Sequence, residues 1–245
     1  VRDALSKELL CECGLDAERI SIIPDLVYTL ESAPKKIIDA ILLQENMRTN
    51  NKSVAMTPCY YNESTPGWTE QYARMCSRIL EETSLDIWLV PMQRGKGHDD
   101  HTAATNIFNS LSPALQARVK VLQGLYSATE IQGIIQQADY VIAERLHGSI
   151  MAINTRRPLR AIAYKPKVTG VLAHAKLSKN IITMDEFLSN ALPQNVFELF
   201  NEAPDQSGMN DIRHEANQNF ALIERVLNQV SAIDLPTNKQ EPGKS

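Results

Sequence analysis

"YVIAERLHGSIMAINTRRPLRAIAYKPK", residues 140–167, holds two short apolar runs that each end in cations. Tyr140 to Ala143 leads into Arg145 and His147, and Leu159 to Tyr164 leads into Lys165 and Lys167. Between them, from about Gly148, lies a stretch of helical length. Strand, crossover helix and strand make a right-handed βαβ unit, in which helices cover both sheet faces. Double cover explains why the strands read as continuous apolar runs rather than as alternation.

The pattern continues in both directions. "SVAMTP" (Ser53 to Pro58) reads as a strand, and residues 67–83 carry Trp68, Tyr72, Met75, Cys76, Ile79 and Leu80 at helical spacing. "LDIWLVPM" follows as a buried strand, then "DDHTAATNIFNSL" as a helix opened by aspartates, then the strand "RVKVLQG". Ser127 and Glu130 form a capping-box pattern at the head of "SATEIQGIIQQA". A short helix near Gly170 and the strand "NIITM" close the series. The fold class is therefore α/β, a Rossmann-like, mainly parallel sheet with helices on both faces.

The flanks read differently. "RDALSKELLCECG" and "ISIIPDLVYTL" suggest one helix and one strand, too little for a core, and "QENMRTNNKS" is a polar linker. A long polar helix spans residues 209–233, and "PTNKQEPGKS" is composed like disordered chain. Residues 49–207 are thus expected to form the Rossmann-like lobe. Residues 1–48 form the end of another unit and a linker, 208–235 a carboxy-terminal helix, and 236–245 a disordered tail.

The 245 residues are 43% hydrophobic, enough for a sizeable core. A formal net charge of −4 gives no basis for wholesale attraction to nucleic acid or membrane surfaces. No apolar window is long enough to span a bilayer. Cys11, Cys13, Cys59 and Cys76 have neither zinc-ribbon nor disulfide-scaffold spacing and read as reduced packing residues. Opening at Val1 without a leader, the chain reads as the interior of a longer protein.

In an open parallel sheet, ligands gather outside the carboxyl ends of the strands. Arg145 and His147 lie there, beside a helix start whose free N–H groups suit an anion. Lys165 and Lys167 follow the next strand at the same edge. So do Asp99, Asp100 and His101 after "LDIWLVPM", and Pro58 to Asn62 after "SVAMTP". Each has a plainer explanation: His147 as a cap, the lysines as a solvated loop around Pro166, the aspartates as helix caps. His98, His174 and His214 have no partner at metal-ligand spacing and read as surface residues. Cations on two successive, otherwise apolar strand ends favour a site.

These residues carry a resemblance. "ADYVIAERLHGSIMAINTRRPLRAIAYKPKVTGVLAHAKL" resembles the signature of the polysaccharide pyruvyl transferase family: a strand ending in Arg-Leu-His, a helix, a Pro-led strand, and a Tyr-x-Pro-Lys loop before a Gly. "VRDALSKELL" with "IIPDLVYTL" resembles the segment ending that family's first lobe. "GHDDHTAATNI" resembles its Asp-led helix before "YSATEIQGIIQQAD". The likeness runs from Val1 to about Phe187. One departure is Glu144, where small or polar residues are frequent.

The resemblance implies two Rossmann-like lobes arranged as in GT-B glycosyltransferases, this chain holding the second lobe and the tail of the first. It implies transfer of a pyruvyl group from phosphoenolpyruvate to two sugar hydroxyls, forming a cyclic ketal and releasing phosphate. Phosphoenolpyruvate is then a co-substrate, with no cofactor and no metal. The acceptor is a sugar or lipid-linked oligosaccharide in exopolysaccharide or cell-envelope synthesis, in the cytoplasm at the inner membrane face. Arg145, Leu146 and His147 bind the donor, with His147 as general acid. An arginine fork suits carboxylate or phosphate. The chemistry further assigns Lys167 and Lys165 to the departing phosphate, and Asp99 or His101 to accepting the hydroxyl proton. A nucleotide-sugar GT-B transferase is the first alternative, with Asp185 or Glu186 for the ribose, although no Gly-rich diphosphate loop is present. A non-catalytic assembly lobe is the second, and it would expect eroded cations.

Overall fold

The computed structural model describes residues 1–48, 50–189, 195–203 and 209–231. Helices α1 (Ala4–Glu12) and α2 (Lys35–Gln44) precede six strands: β1 (Ser53–Thr57), β2 (Asp86–Leu89), β3 (Val119–Val121), β4 (Tyr140–Ala143), β5 (Leu159–Ala163) and β6 (Ile181–Thr183). Between and after them come α3 (Trp68–Glu82), α4 (Asp100–Asn109), α5 (Pro113–Gln116), α6 (Ala128–Gln137), α7 (Leu146–Asn154), α8 (Pro166–His174), α9 (Met184–Leu188), α10 (Asn195–Glu198) and α11 (Met209–Ser231).

All strand pairs are parallel, in the order β3-β2-β1-β4-β5-β6. The chain builds outward from β1 one way, then from β4 the other, so the loops diverge above the β1–β4 seam and leave a crevice. Ala55, Val141 and Ala161 share one apolar core with α2, α6, α7 and α8, while Met56, Ile142 and Ile162 share the other with α3 and α4. That double cover makes the α/β reading correct.

The structure departs from the sequence reading in four places. "ISIIPDLVYTL" is not a strand: its first half is extended outside the sheet, and Leu26–Thr29 is a turn of 3-10 helix. Pro24 has no N–H for a ladder, and the Asp25 side chain accepts from the Val27 N–H at 3.0 Å, which caps the turn. Helix α2 was not anticipated; it buries Ile38, Ile41 and Leu42. Helix α7 begins at Leu146, two residues before the expected start, which makes Arg145 its N-cap. The short helices α5 and α10 also escaped notice. The tail read as disordered lies outside the described residues. All four cysteines are free, Cys59 and Cys76 being buried. Among the described residues no helix is long and apolar enough to cross a membrane.

Helix α7 sits close to the end of β1 because of one glycine. A Cβ on Gly148 would lie 2.5 Å from Thr57 Oγ1, too close to tolerate. That hydroxyl is buried and makes no hydrogen bond, so it is not itself a strong stabiliser. Gly148→Ala is expected to lower unfolding free energy by about 1–3 kcal/mol through overpacking. Thr57→Ala in the same background should recover most of the loss, whereas added clashes elsewhere would leave the double variant as unstable as the single one in urea unfolding.

Candidate active site

A cavity of about 600 Å³ opens at this edge of the sheet. Its wall includes Arg145, Leu146 and His147 at the start of α7, Tyr164 and Lys167 after β5, and Arg2 from the amino-terminal segment. Val27 and Met151 add apolar surface. Among the described residues no carboxylate lines it, and Arg2, Arg145 and Lys167 are its fixed cations. The first turn of α7 has no side-chain cap, so its amino-terminal N–H groups are open to a ligand.

Arg145 is held from behind. Its Nε donates to Asp100 Oδ2 at 2.8 Å, and its Nη2 donates to Asp100 Oδ1. Asp100 is fully buried and also accepts from the backbone N–H groups of Tyr60 (3.0 Å), Met92 (3.3 Å) and Gln93 (2.9 Å). The carboxylate thereby joins the loops after β1, β2 and β4. Arginine has five N–H donors; Asp100 engages one on Nε and one on Nη2 and leaves the others to a ligand.

Glu144, next to it, is buried and accepts from Cys59 N–H (2.8 Å), Asn62 Nδ2 (2.6 Å) and Trp68 Nε1 (2.9 Å). Burial pushes its carboxyl up to about 7, against the opposing pull of those donors. Burial likewise pushes the Cys59 thiol up to about 11 and the Tyr164 phenol up to about 12. Both are neutral at physiological pH, and Tyr164, which lines the cavity, adds no negative charge to its wall.

The four expected cations divide. Lys167 reaches the cavity, where desolvation and then the charges of Arg2 and Lys165 hold its ammonium below the ordinary lysine range. An anion would relieve that strain. Lys165 is not in the lining; its Nζ stands 4.2 Å from the centroid of the exposed Tyr61 ring. His147 is in the lining with 51% of its side chain exposed, and its Nε2 is 3.8 Å from Asp25 Oδ2. Leu146 is buried and contributes wall.

Asp99 and His101 do not line the cavity. Asp99 caps α4 by accepting from the His101 N–H at 3.0 Å, and His101 Nε2 lies 2.9 Å from Gln123 Oε1. Glu186 closes a capping box with Thr183. His174 pairs with Glu215 at 2.9 Å, and His98 and His214 are exposed. Sequence reasoning overlooked Arg2 and Asp25, because nothing local marks them and only the tertiary fold brings Arg2 into the cavity wall and Asp25 beside His147. It noted Asp100 beside Asp99 but had no means of separating the buried anchor from the cap.

Residues 1–166 match the family described as polysaccharide pyruvyl transferase. The chain belongs to that family. The Arg-Leu-His segment at residues 145–147 falls within the matched region. No curated protein matches the sequence of this family member.

Solved structures share its fold at low identity. UDP-GlcNAc 2-epimerase from Methanocaldococcus jannaschii, in complex with UDP-GlcNAc and UDP, matches at a TM-score of 0.64 and 12% identity, over 94% of this chain and 60% of that one. The Neisseria meningitidis UDP-GlcNAc 2-epimerase bound to UDP-GlcNAc matches at 0.64 and 9%, over 92% and 60%. Escherichia coli ADP-heptose lps heptosyltransferase II matches at 0.53 and 17%, over 70% and 52%. The pyruvyl transferase chain therefore spans at most 60% of these three structures, and the likeness is one of GT-B fold.

Glu144 gives the pyruvyl transferase chain a distinctive pH response. Its folded value, about 7, lies above the ordinary 4.5, so between the two the native state keeps a proton that the unfolded chain has released. Its contribution is full below the ordinary value and is lost as pH rises through 7. Unfolding free energy is expected to fall by about 3 kcal/mol from this group between pH 4.5 and 8. Glu144→Gln should remove that slope in urea titrations across pH. Equal slopes in the two proteins would mean that the three donors keep Glu144 charged.

Proposed function

We propose that the cavity binds phosphoenolpyruvate and that the complete protein transfers its pyruvyl group to two hydroxyls of a saccharide acceptor. The observation that carries this reading is the combination of Arg145, Lys167, Arg2 and His147 around one cavity beside an uncapped helix start. The donor bears a carboxylate and a phosphate, and a site for it needs several fixed cations and a proton source. Arg145 offers the edge of its guanidinium that Asp100 leaves open, and Lys167 and Arg2 supply further positive charge.

In the proposed reaction, His147 gives a proton to C3 of the donor, turning the methylene into a methyl group. One sugar oxygen bonds to C2 and releases its proton. The second hydroxyl then bonds to C2 as the C2–O bond to phosphate breaks. Two protons leave the sugar; one restores His147, the other departs with hydrogen phosphate. Lys167 balances charge on that leaving group. Lys165 stands one shell out, over Tyr61, and its role in this reading is to add to the positive potential at the rim. Asp99 and His101 stay candidates for accepting a hydroxyl proton only if the acceptor approaches over α4.

The fold likeness to UDP-sugar enzymes keeps a nucleotide-sugar donor as the alternative. There Glu186 is committed to its capping box, which leaves Asp185 for a ribose. Thermal unfolding with phosphoenolpyruvate, inorganic phosphate, UDP and GDP separates the two, since a ligand of the native state raises its stability with concentration. Phosphoenolpyruvate is expected to raise Tm well beyond phosphate. Arg145→Lys, which keeps a charge for Asp100 but loses the planar fork, should weaken its binding by about 1.5–3 kcal/mol. Stabilisation by UDP or GDP instead would transfer the cavity to nucleotide sugars.

A further inference from the structure

A carboxylate beside an anion site opposes binding through its charge. Asp25 stands in that position. Its Oδ2 accepts from Arg2 Nη1 at 2.8 Å and lies 3.8 Å from His147 Nε2, while Oδ1 accepts from the Val27 N–H at 3.0 Å. The Asp25 side chain is only 13% exposed, against 51% for His147. The neighbouring imidazole first, then the Val27 N–H and Arg2, hold its carboxyl well below the usual carboxylate range against the desolvation that opposes them. Asp25 is therefore a largely buried charge next to an exposed ring. Among the described residues, no other side chain forms an ion pair or hydrogen bond with that imidazole.

Resting on the donor-site reading above, we infer that Asp25 is the positioning residue of His147. It holds the imidazole through Nε2, is itself braced by Arg2 and the Val27 N–H, and leaves Nδ1 to carry the proton given to the donor. Once Nδ1 has released that proton, the ring is neutral and keeps its Nε2 hydrogen toward Asp25. The ring's orientation is thus set by one ion-pair contact at 3.8 Å. Asp25 is no catalytic residue, because it does not line the cavity. It also explains why the amino-terminal segment reaches the cavity: that segment provides both the brace, Arg2, and the orienting carboxylate.

The charged and titratable groups around the pair are Arg2, the buried Tyr28 behind Asp25, Arg145 at the start of α7, and Tyr164 and Lys167 after β5. Each is left intact in the test. Phosphoenolpyruvate affinity of the full chain is measured by calorimetry between pH 6 and 9. The proteins are the wild type, Asp25→Asn, His147→Gln and the double variant, with His147→Gln recording the titration of the ligand's own phosphate. Asparagine is as good an N-cap as aspartate and keeps the Val27 turn. Asp25→Ser, which also caps but carries no charge, serves as a second variant if Asp25→Asn does not fold.

Asp25→Asn should change how the affinity depends on pH, and it should do so only while His147 is present. The double variant should have the same profile as His147→Gln alone. Affinity scaled by one factor at every pH, or a further profile change in the double variant, overturns the inference while the donor reading stands. A wild type without affinity for phosphoenolpyruvate overturns the donor reading and this inference with it.

Discussion

The site is organised by a buried negative charge. Asp100 has no solvent exposure, and a carboxylate in that setting is tolerable only when donors surround it. Its donors come from Tyr60, from Met92 and Gln93, and from Arg145, so one side chain ties together the ends of β1, β2 and β4. Removing a partner from a buried pair costs about 3–5 kcal/mol, since the remaining charge is left uncompensated. The three loops therefore cannot drift separately. Glu144 repeats the device one residue before Arg145, gathering Cys59, Asn62 and Trp68. Two carboxylates behind the wall thus shape a cavity whose own surface is cationic.

This layering sorts the charges by task. Arg145 is offset by Asp100 and works through the direction of its remaining donors. Among the described residues Lys167 has no carboxylate in an ion pair with it, and it is crowded by Arg2 and Lys165, which makes it the cation with most to gain from an anion. Arg2 is divided between Asp25 and the cavity. The neutral Tyr164 keeps the wall from losing that potential. Arg145 and Arg2 are thereby each held by a carboxylate standing behind the cavity lining.

The sheet could be read from residues because its strands are buried on both faces, so that each is a compact apolar run between helical repeats. The Arg-Leu-His segment could be placed for the same reason, since the end of a parallel strand is also the ligand edge. What failed was the amino-terminal stretch. "ISIIPDLVYTL" has strand-like composition, but Pro24 and the Asp25 cap divert it, and local propensity says nothing about which groove it will occupy. Asp99 and Asp100 look alike in sequence; a step of one residue sends the first to cap α4 and the second into the protein. Arg2 and Asp25 owe their places to contacts between distant parts of the chain, and no short window contains that information.

The cavity joins distant parts of the sequence: one wall is Arg2 and Val27, the other is drawn from residues between Met92 and Lys167. During synthesis the first wall leaves the ribosome long before the second exists, and it has no sheet edge on which to wait. Long loops must close before their contacts are rewarded, so such pairings form late. The amino-terminal segment also puts Tyr28, Ile38, Ile41 and Leu42 into the core on one face of the sheet, so the cavity and that half of the core are completed together.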